Sequence, residues 1–502
     1  MGQIVHTLGK LNWVRPCVVF VLCAATAIAV PGQTFTTLVG FDGTDGAAPY
    51  AGVIQATDGN FYGTTVGGGA SNYGTVFKMT ASGTVTTLYS FCSQSGCTDG
   101  SRPYAGLIQA SDGDFYGTTE GGGKRNKGTV FRITSSGALT TLHSFCSQSD
   151  CADGAYPDGA LVQASDGDFY GTTYGVQGID TLAGYGTVFK ITPSGALTTL
   201  HNFCSQSGCT DGINPQAGLV QAANGDLYGT TQNGGAYGLS YGTVFKITPS
   251  GTLTTLHSFC AQTNSEGFCT DGYAPYAKLV QALNGDLYGT TNVGGVTDDG
   301  TVFKITPGGA LTTFYSFCAQ SGCPDGEIPQ AALVQATNGD LYGTTPGGGI
   351  VGHCVVSFGC GTIFEITPGG GLTTLYSFCF QDRCTDGAEP SALFQATDGN
   401  FYGTTGHFGV SGGGTAFSLS VGLGPFVETQ TTFGNVGAAV NILGTDLTGA
   451  TSVTFNGTAA QFTVVSPSLI TTTVPSGATT GTIQVVTPGG TLSSNVPFRV
   501  LP

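Results

Sequence analysis

The sequence predicts an all-β protein: a seven-bladed β-propeller of four-stranded blades followed by an immunoglobulin-like β-sandwich. Three observations carry that expectation. One motif recurs seven times, each copy holds four short β-prone runs, and a lone run near the N-terminus matches the piece that the last copy lacks. Composition points the same way. Gly is high at 84 residues and charged residues make up only 9%, yet 40% of the chain is hydrophobic, enough to build a core. Abundant Thr and Val favour strands and tight turns over helices.

The repeat is clearest in its third copy. It runs Ala160-Leu-Val-Gln-Ala-Ser165, Asp166-Gly-Asp168 and Phe169-Tyr-Gly-Thr-Thr173, then a variable stretch. Gly186-Thr-Val-Phe-Lys-Ile-Thr192, Pro193-Ser-Gly195 and Ala196-Leu-Thr-Thr-Leu-His-Asn-Phe203 complete it. The turn glycines Gly59, Gly113, Gly167, Gly225, Gly285, Gly339 and Gly399 mark copies 54 to 60 residues apart. Asp-Gly or Asn-Gly joins the first two runs, a strong hairpin signal because those residues accept positive φ. Four strands per unit at this period is the pattern of a propeller blade. A solenoid is the competing repeat architecture, and the ends of the array argue against it. Thr34–Phe41 reads as a fourth strand with no blade before it, while the last copy stops after its third strand, at Gly414–Ser420. The first run can complete the last blade, which closes a ring and leaves no open edge.

Residues 1–29 read as a secretory signal. Lys10 and Arg15 form the positive region, Cys17–Val30 is apolar, and Ala27-Ile28-Ala29 is a small-residue cleavage site. Removing it leaves 12 basic against 30 acidic residues, a net charge of −18, which argues against nucleic acid and anionic lipid as partners. No later segment is apolar enough to span a bilayer. Cys17 and Cys23 leave with the signal, and the other cysteines form close pairs: Cys92/Cys97, Cys146/Cys151, Cys204/Cys209, Cys260/Cys269, Cys318/Cys323, Cys354/Cys360 and Cys379/Cys384. In an exported chain such pairing reads as disulfides rather than zinc, since each pair supplies only two thiolates.

The motifs Asp-Gly-x-(Phe/Leu)-Tyr-Gly-Thr-Thr and Gly-Thr-Val-Phe-Lys-Ile-Thr resemble those of the GloVer tandem-repeat (choice-of-anchor) proteins, over roughly residues 34–420. The resemblance implies export and a repeat fold, and little about activity. From about Gly424 the repeat stops. Gly444–Gly457, Val474–Ile483 and Thr487-Pro-Gly-Gly490 resemble an IPT/TIG domain, which implies an immunoglobulin-like accessory module over residues 424–502.

In a propeller the hairpin turns share one face, and the variable loops share the other with the interblade connections. The second face is where a ligand is expected. Each connection carries Asp-Gly-x-x-Pro, with Asp45, Asp99, Asp153, Asp211, Asp271, Asp325 and Asp386. A carboxylate ring or calcium sites can be read there, but an Asp-capped turn is the simpler account. His143, His201 and His257 fall on the outer strands of different blades, alternate with Tyr89, Tyr315 and Tyr376, and read as blade-edge packing. His353, beside Cys354, and His407 lie on neighbouring loops with no evident carboxylate or nucleophile around them.

The candidate ligand-binding residues are basic Arg102, Lys124, Arg125 and Lys127, with Tyr174, Tyr185, Tyr237 and Tyr241 of the variable loops. They suit a glycan or another surface polymer, an acidic one for the basic cluster. The mature chain has no Trp, because Trp13 departs with the signal, so tyrosines must supply any sugar-stacking surface. No catalytic constellation, cofactor or metal site is expected. The function expected is therefore a non-catalytic binding or structural protein of the cell exterior. A propeller hydrolase or lyase is the enzymatic alternative, with Glu120, Asp180, Glu327 and Glu389 as unpaired carboxylates, and a protein-binding adhesion scaffold is the third. Galactose-oxidase-like proteins share this architecture, but residues 424–502 hold no His, Cys or Tyr to donate a copper ligand.

Overall fold

A computed structural model of the protein describes residues 33–175, 182–349 and 359–501. The expected signal segment, Asp180, His353 and Cys354 lie outside the described residues.

Each repeat folds as an antiparallel sheet whose strands lie in chain order. The second blade, for example, consists of Ile108–Gln109, Phe115–Thr119, Thr129–Ile133 and Leu139–Ser144. The seventh is assembled from both ends of the array. Phe394–Gln395, Phe401–His407 and Thr415–Ser420 are completed by Thr34–Gly40, which pairs with Thr415–Ser420 from Thr34↔Ser420 to Gly40↔Thr415. The ring is closed as the sequence predicts.

The two middle strands of a blade bury every residue apart from the third-strand Lys, Arg, Glu or Ser and the terminal His407 of the seventh blade, because both faces are covered by neighbouring blades. The Gly of Tyr-Gly-Thr-Thr has a packing reason: a Cβ on Gly117 would lie 2.7 Å from the Phe131 ring. The core is divided into interblade wedges. Tyr62, Val76 and Phe91 of the first blade pack against Leu107, Phe115 and Phe131 of the second, and the pattern repeats around the wheel. Tyr62 stacks on Phe115 with centroids 4.1 Å apart, and Tyr402 stacks on Phe61 at the same distance across the closing seam.

Hydrogen bonds repeat this closure in polar form. The first-strand Gln of each blade accepts from a hairpin N–H of the blade before it. Thr57 donates to Gln109, Ser111 to Gln163, Ser165 to Gln221, Ala223 to Gln281, Leu283 to Gln335 and Thr337 to Gln395. Thr397 then donates to Gln55 at 2.9 Å, so the chain of bonds returns to its start.

The Asp of each interblade connection caps a turn, and from the second connection onward it is buried. Asp153 accepts from Ser147 N, Ser147 Oγ and Gln148 N. It also bonds His143 Nε2 at 2.9 Å, as Asp211 and Asp271 bond His201 and His257. These histidines therefore do more than pack at the blade edge. Tyr89, Tyr315 and Tyr376 make the same bond through a hydroxyl to Asp99, Asp325 and Asp386. Burial raises the Asp153 carboxyl, but His143 and the Ser147 and Gln148 donors outweigh it and hold the pKa at about 2. Asp386, whose side-chain partner is a neutral phenol, is instead raised by burial. Six of the cysteine pairs are bonded beside these turns: Cys92–Cys97, Cys146–Cys151, Cys204–Cys209, Cys260–Cys269, Cys318–Cys323 and Cys379–Cys384.

The C-terminal sandwich packs two sheets around Val427, Ile442, Val453, Phe455, Ile470 and Val485. One sheet is built on Ala439–Gly444 and Leu469–Thr473, the other on Ser452–Phe455 and Ile483–Thr487. It sits against the hairpin-turn face of the wheel. Ser468 Oγ donates to Thr57 O, Gln430 Nε2 to Ala110 O and Arg499 to Ala223 O, while Phe426 N donates to Thr397 O. Those contacts reach four blades and leave the opposite, loop-rich face uncovered.

Two outcomes are expected. Deleting residues 33–41 removes the strand that closes the seventh blade, so the melting temperature should fall by more than about 10 °C and the exposed edge should make the protein self-associate. The Asp153 network is stabilising above the ordinary carboxylate pKa and is lost as the pH falls through the folded value of about 2. Thermal melts from pH 4 down to pH 2 should accordingly show a smaller loss of stability in Asp153→Asn than in the wild type.

Candidate functional site

The loop-rich face is built by a turn that recurs in every interblade connection. The residue before each Pro is left-handed: Ala48, Arg102, Tyr156, Asn214, Ala274, Ile328 and Glu389 have φ between 52° and 59°. In the first five blades its carbonyl accepts the N–H of the residue that follows Tyr-Gly-Thr-Thr in the same blade. Glu120 N donates to Arg102 O, Tyr174 N to Tyr156 O and Gln232 N to Asn214 O. The turn therefore holds two positions side by side, one after the Pro and one after the Thr-Thr. Both vary from blade to blade, while the frame around them repeats. After the Pro stand Tyr50, Tyr104, Asp158, Gln216, Tyr276 and Gln330; after the Thr-Thr stand Val66, Glu120, Tyr174, Gln232, Asn292, Pro346 and Gly406. The seventh connection is one residue shorter between its Pro and its Gln, so Ser391 falls back into the frame, its hydroxyl donating to Pro49 O.

These positions form a pocket of about 510 Å³ across the second to fifth blades. Its walls are Glu120, Lys127, Tyr156, Asp158, Tyr174, Gly175, Gln216, Gln232 and Tyr276. Eight buried side-chain oxygens among the described residues have no hydrogen-bond partner, and three of them meet here: Asp158 Oδ1, Gln216 Oε1 and Gln232 Oε1. Buried acceptors are nearly always satisfied, so three orphans in one cavity point to donors that arrive from outside. Burial pushes the Asp158 carboxyl up to about 7, and the charge of Glu120 adds to the rise. Glu120 is raised by burial and drawn partly back by Arg102, whose guanidinium lies 3.9 Å away. Lys127 has a partner of its own in Tyr156. Its ammonium donates to the Tyr156 hydroxyl and stands 4.5 Å from the centre of that ring.

An aromatic shelf continues the pocket toward the first and seventh blades. Tyr50 and Tyr104 stand nearly parallel, centroids 5.9 Å apart, and both are more than a third exposed. The Tyr50 hydroxyl bonds His407 Nε2 at 2.9 Å, and His407 lies 3.3 Å from Glu389. His407 does have a carboxylate beside it, contrary to the sequence reading. Glu389 reaches His407 by strand pairing within the seventh blade, whereas Tyr50 is far away in sequence and only ring closure brings it there. Tyr104 feels the charge of Glu120, which places the shelf next to the pocket.

The sequence-predicted binding residues are dispersed. Lys127 and Tyr174 line the pocket, and Arg102 borders it through Glu120. Lys124 and Arg125 are exposed on the loop and line no part of the pocket. Tyr185 and Tyr241 pack against the blade cores, and Tyr237 is exposed at a loop tip. The basic cluster is thus not one surface. Asp158, Gln216, Gln232 and Tyr276 were missed; their signal is variation at one position inside an otherwise repeating motif.

Comparison with known proteins agrees with the architecture. A fungal alcohol oxidase of the AA5 family, in complex with copper, is similar with a TM-score of 0.53 and 13% identity, covering 94% of this chain and 100% of that one. The extracellular domain assigned to a hybrid two component system of B. thetaiotaomicron has a TM-score of 0.49 at 12% identity, over 94% of this chain and 59% of that one. At such identities the likeness is one of fold alone. No curated protein matches the sequence. The IPT/TIG domain model matches residues 425–500. The Gloeobacter/Verrucomicrobia repeat model matches residues 24–210 and 153–357, more than half of the chain, and the protein therefore belongs to that repeat family.

Proposed function

We propose that this is an exported binding protein that takes a sugar polymer at the mouth of its loop-rich face. The observation that carries the reading is the meeting of three orphan acceptors, Asp158 Oδ1, Gln216 Oε1 and Gln232 Oε1, in one tyrosine-walled pocket. Sugar hydroxyls supply the donors those atoms lack, and tyrosine faces offer an apolar surface for a sugar ring. The volume of about 510 Å³ suits one or two sugar units, and the Tyr50–Tyr104 shelf extends the contact beyond them. Disulfides favour an oxidising compartment and hence export, with residues 1–29 as the signal, 34–420 as the wheel and 424–502 as a spacer module. Among the described residues no helix is long and apolar enough to cross a membrane.

One observation favours a second reading. Glu120 and Asp158 share the pocket, and each carboxyl is raised by burial, as a glycoside hydrolase requires of its acid. A carbohydrate-active enzyme therefore stands behind the binding protein.

Calorimetric titration of the folded protein with β-1,4-linked hexasaccharides, alongside an assay for new reducing ends, tests both readings. Saturable binding without cleavage is the expected result. Tyr174→Ala and Tyr104→Ala should each weaken it about tenfold, and Tyr237→Ala should leave it unchanged. New reducing ends that disappear in Glu120→Gln would establish the hydrolase instead. Absence of binding across neutral, acidic and amino-sugar oligomers would overturn the sugar reading.

A further inference from the structure

The site reading above leaves open what kind of sugar the pocket selects, and its donor–acceptor balance answers that. The basic loop suggests an acidic glycan at first sight. Yet Arg102 is committed to Glu120, Lys127 to Tyr156, and Lys124 and Arg125 lie outside the walls. The buried side-chain atoms left unpaired at the pocket are all acceptors. Asp158 Oδ1, Gln216 Oε1 and Gln232 Oε1 are each buried without a partner, on half-buried side chains that themselves line the pocket. They stand on consecutive elements: the connection into the third blade, the connection into the fourth, and the loop of the fourth itself.

A hydroxyl brings one donor together with lone pairs of its own, which would face these acceptors. An ammonium group brings three donors and no acceptor, and a positive charge for the carboxylate beside it. Tyr174 and Tyr276 wall the same pocket, and aromatic faces hold cations. The mature chain's net charge of −18 draws cationic ligands toward the protein from a distance.

We infer that the pocket selects an amino sugar, a glucosamine-type unit whose ammonium is held by Asp158, Gln216 and Gln232 while its ring lies among the tyrosines. This inference rests on the sugar-binding reading and narrows it to a substrate class. Asp158 is then a charge partner that its own protein leaves unmatched. Its carboxyl is lifted by burial and by Glu120. An incoming ammonium reverses that lift, so binding weakens in acid, where Asp158 is protonated, and again in base, where the sugar amine loses its proton. The other charged or titratable groups facing Asp158 are Glu120, Arg102, Lys127, Tyr104, Tyr156, Tyr174 and Tyr276.

The test compares three hexamers with the same β-1,4 backbone: glucosamine, with an ammonium at carbon 2; glucose, with a hydroxyl there; and N-acetylglucosamine, with a neutral amide. Calorimetry at fixed salt should find the glucosamine hexamer bound at least tenfold more tightly than either neutral one. Asp158→Asn should abolish that preference. Gln216→Leu, which leaves the protein's charge unchanged, should weaken the glucosamine hexamer and separate site recognition from attraction to an acidic surface. Asp446→Asn, in the sandwich, removes the same charge remotely and should have no effect. Melting curves of each variant verify folding. Equal or tighter binding of a neutral hexamer, or a preference that survives both Asp158→Asn and Gln216→Leu, overturns the amino-sugar inference and leaves sugar binding standing. Failure of all three hexamers to bind brings down the sugar reading with it.

Discussion

The bond on which the wheel depends is the one between neighbouring blades. No blade is a domain in its own right, since a four-stranded sheet with both faces apolar cannot stand alone in water. Each blade finds its second face on the next, through a Tyr that packs on a Phe or Leu and a Gln that accepts from the preceding hairpin. An open row of such bonds would leave an unsatisfied blade at either end. Closure removes both ends at once, because Thr397 reaches Gln55 and Tyr402 reaches Phe61 with the geometry used everywhere else. The N-terminal strand is the latch, tying the first and last segments of the array into one sheet.

With the frame secured in this way, the site requires little more of the fold. The connection Asp is consumed by its turn, the disulfide lies beside that turn, and the Pro fixes the path into the inner strand. The side chains left for recognition are the two that the left-handed turn sets side by side in each blade. Tyr50 and Tyr104, the residues after the Pro in the first and second blades, satisfy one another as a stacked pair. Asp158 of the third blade and Gln216 and Gln232 of the fourth do not, and buried oxygens remain without partners. The wheel is thus chemically uneven around its rim, and the unevenness marks the functional sector. The sandwich occupies the opposite face, touching hairpin turns through backbone carbonyls and a threonine pair, Thr397 with Thr445.

Much of the architecture was legible in the sequence. Asp-Gly and Asn-Gly located the hairpins, Tyr-Gly-Thr-Thr located the buried second strand, and the stray Thr34–Phe41 run announced how the ring closes. The site was less legible, for two physical reasons. Charge draws attention in a chain with few basic residues, yet Lys124 and Arg125 are solvated while Lys127 is held on Tyr156. Convergence is the other reason. Glu120 and Asp158 belong to different blades, and His407 meets Tyr50 across the closing seam. Sequence spacing carries no trace of such meetings. The histidines of the outer strands show a subtler gap. Their alternation with Tyr is visible, but the shared partner, a buried Asp ten or fourteen residues away, emerges only from the fold.

The left-handed residue before each Pro has a consequence for how such a protein can change over time. Because that turn fixes the backbone by itself, the neighbouring side chains are free of structural duty and can be exchanged one blade at a time. A substitution there alters one sector of the rim and leaves the seams between blades untouched. Specificity can therefore drift in small, separable steps, much as characters on a printing wheel are replaced without recasting the wheel.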